Sequence, residues 1–221
     1  GWAIKTRSSS AIVTWTDYMF VLLIFSLPVV VSNSDQISQR VRRAIPRAPW
    51  KRFLAFFFFN GAAGGLLWVA LMMSATALAA TEIINLMPGY VKAGRDWLSY
   101  GAIAAYVFVY ALTALFIQRK FLPNRPPKLT GLLAALIAAA CGLMPSIILF
   151  FLNQLTWASI EGLELGNVFN VFSLRDESRL FEHFYFAFGG LILMMAINAP
   201  WFLRQIRNFV PPPKDVPPAI S

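Results

Sequence analysis

Residues 53–80 read FLAFFFFNGAAGGLLWVALMMSATALAA, twenty-eight positions without a charged side chain. A helix of about 20 apolar residues crosses a hydrocarbon core of about 30 Å, so this run alone is long enough to span a membrane. Four further stretches resemble it: Ala11 to Val31, Trp97 to Ile117, Leu129 to Leu152 and Phe184 to Leu203. A backbone in lipid has to satisfy its own hydrogen bonds, and none of the five runs shows the polar–apolar alternation of a barrel strand. The reading is an all-α, polytopic membrane bundle of five transmembrane helices. Its membrane domain covers 11–210, between an external stub at 1–10 and a Pro-rich tail at 211–221.

Composition agrees with this reading. Of 221 residues, 58% are hydrophobic and 13% charged, against roughly a quarter charged in an ordinary soluble domain. The net charge of +9 does not point to nucleic acid, because the basic residues sit beside the apolar runs, where they report topology and anionic lipid. Cys141 is the only cysteine, which excludes an internal disulfide and a multi-thiolate metal site.

Charge also orients the chain. Arg40, Arg42, Arg43, Arg47, Lys51 and Arg52 follow the first run, Arg119, Lys120, Arg125 and Lys128 follow the third, and Arg204, Arg207 and Lys214 follow the fifth. These segments hold thirteen of the nineteen basic residues, so the positive-inside rule makes them cytoplasmic. The other connections carry eight of the ten acids and fall outside. Strict alternation then leaves Gly1 outside, and the expectation is a later part of a longer polypeptide with an odd number of spans upstream. A bacterial cytoplasmic membrane is the expected location.

Between the spans, several segments have their own pattern. In 33–47, Asn33 has the form of an N-cap with Gln36 at the third helical position, and Ile37, Val41 and Ile45 recur every fourth residue. This is an amphipathic cytoplasmic helix with Arg40, Arg42 and Arg43 on its other side, suited to anionic headgroups or a cytoplasmic partner. Gly61 and Gly65 form a GxxxG pair, and Gly189-Gly190 lies in the last span; small residues of this kind let helices approach closely. Residues 158–183 carry two apolar patches broken at Gly166-Asn167, with acids among them, and read as short helices at the outer interface that could dip inward as a re-entrant hairpin. Asp17 and His183 are expected at headgroup level, as interfacial polar groups.

The chemistry that is missing narrows the function. The chain has no Gly-rich phosphate loop, so any ATP is handled by a partner. One histidine and no CxxCH motif exclude a zinc cluster and covalent haem. No nucleophile and base can be assembled within the spans, and no central acid is placed for a proton relay. An enzyme is therefore not expected, and no cofactor is called for. Asn60, Asn153, Gln154 and Asn198 suit hydrogen bonding between helices.

The order of elements resembles the type 2 ATP-binding-cassette exporter permeases, six-span subunits with both ends in the cytoplasm. The five spans here correspond to the second to sixth of that family. The run from Arg42 to Leu54 resembles the end of the family's coupling helix and its return to the membrane, and 158–183 occupies the place of its external re-entrant helices. The resemblance implies a dimeric permease, homodimer or heterodimer, driven by a separate cytoplasmic ATPase. It implies coupling through Gln36, Ile37, Arg40, Val41, Arg42, Arg43, Ile45 and Arg47. The alternative is a scaffold or accessory subunit of a respiratory or photosynthetic complex, which explains the 20 Phe and the few polar groups at depth equally well.

Overall fold

The computed structural model describes residues 9–33, 37–59, 61–85, 93–152, 165–171, 174 and 176–211. Among them the chain forms helices and no strand: α1 (Ser9–Val31), α2 (Gln39–Ala44), α3 (Pro49–Phe59), α4 (Gly61–Asn85), α5 (Ala93–Phe121), α6 (Lys128–Phe151), α7 (Val168–Val171) and α8 (Glu177–Asn208). Five of these, α1, α4, α5, α6 and α8, are long and apolar enough to cross a membrane. The chain is an all-α integral membrane protein.

Helix α5 is the centre. It packs most extensively against α8, then against α6 and α1, and it also touches α7 and α4. Of its spanning window 56% is buried, against 11% for α6. Ala102, Ala105, Ala111 and Ala114 are all but fully buried along it. Lipid tails are as apolar as leucine, so helices associate through close backbone approach, and small side chains permit it. Helix α1 runs beside α4 and α6. A Cβ on Gly131 of α6 would meet the Pro28 carbonyl and the Ser32 hydroxyl of α1, so these backbones touch. The outer face of α6 presents Leu132, Leu136, Leu143, Ile147 and Phe150 outward, as a lipid-facing helix does.

The expected span from Phe53 to Ala80 is two helices. Gly61 has φ +54, in the left-handed region where only glycine is at ease, and the chain turns sharply there. A Cβ on Gly64 would run into the Phe56 carbonyl oxygen, eight residues upstream, whereas positions eight apart in one straight helix are about 12 Å apart. Helix α3, at 11 residues, is about 16 Å long and too short to cross. The span starts at Gly61, and α3 lies against its beginning. Trp50, Phe53, Leu54 and Phe58 occupy one exposed arc of α3, while Ala55 and Phe56 on the opposite side are buried.

Other boundaries also differ from the sequence reading. The helix expected over 33–47 is confined to Gln39–Ala44, and its N-cap is Ser38, whose hydroxyl accepts from the Val41 N–H at 3.2 Å. Residues 34–36, including Gln36, lie outside the described set, as do Asn60, 1–8, 86–92, 153–164 and 212–221. The last helix starts at Glu177 rather than Phe184, capped by Asp176, whose carboxylate accepts from the Ser178 N–H at 3.0 Å.

Helices alternate in direction, so the ends sort into two groups. One end carries α2, α3, Arg119, Lys120, Arg125, Lys128, Arg204 and Arg207, and no acid among the described residues. At the other end Tyr100 donates to the Asp17 carboxylate, joining α5 to α1, and Arg179 pairs with Glu182 at 3.3 Å.

Candidate functional site

Inside the acidic half of the bundle the apolar packing is interrupted by a connected polar cluster. Tyr106 and Tyr110 sit one turn apart on α5, their rings stacked 6.2 Å apart, and both are buried. The segment 165–171 enters the bundle between α5 and α6. Gly166 turns it with φ +102, a conformation costly for any residue with a Cβ. The Gly166 N–H donates to the Tyr106 hydroxyl at 3.1 Å, and the Val168 N–H donates to the Tyr110 hydroxyl at 3.3 Å. Tyr110 in turn donates to the Gly166 carbonyl. Asn167 holds the other side: its side-chain oxygen accepts from the Phe169 N–H at 2.9 Å, and its amide reaches the Gly142 carbonyl of α6 at 3.5 Å. A Cβ on Gly142 would lie 2.8 Å from the Phe169 ring, so glycine there makes room for the segment.

His183 belongs to this cluster, enclosed by protein and not at an open surface. It is 3% exposed, and its Nδ1 is 3.1 Å from the Tyr106 hydroxyl. With Gly166 donating to that hydroxyl, both groups are satisfied when Tyr106 donates to Nδ1 and the imidazole proton sits on Nε2. The arrangement is a latch: backbone groups that lipid would leave unpaired are satisfied by two phenols, and one phenol is oriented by a histidine. Among the described residues no three of His, Cys, Asp and Glu come together to hold a metal.

No family model, no curated protein and no solved structure matches the chain.

The basic half has a second polar connection. Asn198 on α8 is 2% exposed and donates to the carbonyls of Met194 at 2.8 Å and, across to α5, Leu112 at 3.3 Å. Its oxygen accepts from Arg119. The Arg119 Nε donates to the Leu115 carbonyl at 3.0 Å, and the guanidinium lies 4.2 Å from the centroid of the Trp201 ring. This arginine is thereby held at the end of the α5–α8 seam.

Of the residues expected to contact a partner, Arg40, Arg42, Arg43 and Arg47 are exposed, Val41 is half-buried, and Ile45 is buried. Ile45 packs with Ala55, Phe56, Ala63 and Phe209, and Ile37 lies against the same group. The small basic helix is therefore anchored to α3, α4 and the end of α8 by its flanking residues Ile37 and Ile45, while no residue of Gln39–Ala44 is itself buried. Of the expected packing glycines, Gly65 meets Val30 of α1, where an added Cβ would lie 2.5 Å from a methyl carbon, whereas Gly61 serves the turn. A Cβ added at Gly190 would lie 3.4 Å from a Val109 methyl carbon, ordinary contact, and one added at Gly189 would have nothing within 4 Å.

The tyrosine cluster was missed by the sequence reading, although signals for it exist. Leu180, His183, Ala187, Met194, Asn198 and Gln205 are the buried residues of α8, at intervals of three, four and seven. That stripe marks one inward face, and His183 falls on it. Tyr106 and Tyr110, four apart in an apolar helix, share a face in the same way.

Proposed function

We propose that the chain is the membrane permease subunit of an ATP-driven exporter, energised by a separate cytoplasmic ATPase and working as a dimer of permeases. One observation carries this reading. Helix α2 presents Arg40, Arg42 and Arg43 outward while Ile37 and Ile45 seat it on Phe56 and Phe209. The residues flanking α2 thus link it to α3, to the start of α4 and to the end of α8, which is the route a push from an ATPase would take in this reading. Positive charge without acids among the described residues of this end supports a cytoplasmic placement. The segment 165–171, inserted between the helices at the opposite end, supports the likeness to the exporter family.

The test is purification of the full chain from its native membrane in mild detergent. An ATPase subunit is expected to copurify, and Arg42→Glu with Arg43→Glu is expected to reduce its association at least tenfold. Equal association of that variant, or labelling of Arg42→Cys by a reagent confined to the exterior, overturns the proposal. The second reading, a scaffold subunit of a larger complex, is favoured by the exposed apolar face of α6, and haem or pigment absorbance in the purified complex would support it.

A further inference from the structure

A cavity of about 610 Å³ opens at the basic end between α1, α5 and the α5–α6 loop, a size typical of small-ligand sites. Its polar lining includes Asn33, Gln118, Arg119, Asn124 and Arg125, and none of the described residues lining it is acidic. We propose that this cavity binds a phosphate monoester or diester, as carried by an anionic lipid headgroup or by free phosphate.

The chemistry of the lining points to that class. The exposed Arg125 guanidinium supplies charge and planar donor geometry matched to phosphate oxygens, Arg119 adds a fixed positive charge in the wall while its own N–H groups serve Leu115 and Asn198, and the amides add neutral donors. The cavity lies where α5 ends and α6 begins, at the ends of two spanning helices, where headgroups are expected. Its walls are preformed, which lowers the ordering cost of binding. Gln118 donates to the Arg125 carbonyl at 3.4 Å, and the loop is turned by Arg125 N–H to Leu122 carbonyl and Leu129 N–H to Pro126 carbonyl bonds at 3.1 and 3.0 Å. Pro123, Pro126 and Pro127 stiffen it further. The end of α1 is tied to α6 through the Ser32 hydroxyl and the Lys128 carbonyl at 3.5 Å. Arg119 is held by Leu115, Asn198 and Trp201, so one charge is positioned in advance, while the exposed Arg125 can close over a bound group. The inference does not rest on the exporter reading, and loss of ATPase association leaves it untouched.

The test is native mass spectrometry of the purified full chain with phosphatidylglycerol, with phosphatidylcholine and with inorganic phosphate as probes. Arg125→Gln lies in an exposed loop and keeps the fold. Lys51→Gln removes the same charge from α3, outside the cavity, and is the control for diffuse attraction. Phosphatidylglycerol or phosphate is expected to bind about fivefold more weakly to Arg125→Gln, the change for one lost cation near an anionic group, and less than twofold more weakly to Lys51→Gln. Whichever probe shows this pattern identifies the source of the phosphate. The proposal is overturned if neither probe binds the natural chain, if phosphatidylcholine binds as well as phosphatidylglycerol with no binding of phosphate, or if both substitutions weaken binding equally.

Discussion

Tyr110→Phe removes one oxygen from a site where two backbone groups depend on it. The hydroxyl accepts from the Val168 N–H and donates to the Gly166 carbonyl, and the residue is buried inside the bundle. A buried polar group left without its partner costs about 1–3 kcal/mol, so the buried Val168 N–H together with the part-buried Gly166 carbonyl costs about 2–4 kcal/mol. The phenyl ring keeps its place, so the loss falls on the segment 165–171 and not on α5. At about 1.4 kcal/mol per factor of ten, even the lower figure corresponds to about a thirtyfold increase in opening of that segment. Hydrogen exchange of the chain in lipid nanodiscs measures this directly. The Val168 amide is expected to exchange at least about thirtyfold faster, with α5 itself unchanged. Tyr185→Phe, on an exposed ring of α8, is the control and is expected to leave exchange as it was. If Val168 is equally protected in Tyr110→Phe, the phenols do not hold the inserted segment and the latch is refuted.

Two further outcomes follow from the helix contacts. Gly64→Ala places a Cβ against the Phe56 carbonyl, and overpacking against backbone should lower stability by about 1–3 kcal/mol, read as a fall in melting temperature in detergent. Gly189→Ala meets nothing within 4 Å and should stay within about 0.5 kcal/mol of the natural chain; equal losses in the two would show that the corner between α3 and α4 is not close-packed. Spin labels at positions 50, 53, 54 and 58 in a Cys141→Ala background should all report lipid contact, since these residues share the exposed arc of α3. A steady deepening by about 1.5 Å per residue from 50 through 70 would instead describe one continuous span and remove the turn at Gly61.

The legible part of the molecule was set by solvent. Lipid admits only backbones that satisfy themselves, so five long apolar runs are enough to require five helices. Lys and Arg lie beside those runs because charge is excluded from hydrocarbon, and their gathering at one end follows the positive-inside bias. The small basic helix was visible too, from Ile37, Val41 and Ile45 at intervals of four, though Ser38 and not Asn33 caps it. Either residue can supply the oxygen, and the choice depends on where the chain leaves α1.

Tertiary structure decided what apolarity cannot express. Hydropathy is continuous from Phe53 to Ala80, yet a positive φ at Gly61 and the contact between Gly64 and Phe56 split it, because direction is a property of backbone angles and not of transfer free energy. His183 and Tyr106 are seventy-seven positions apart, and nothing local to either indicates a partner. A polar group in an apolar helix raises a demand for a hydrogen bond, but which distant group meets it is settled only when the helices pack.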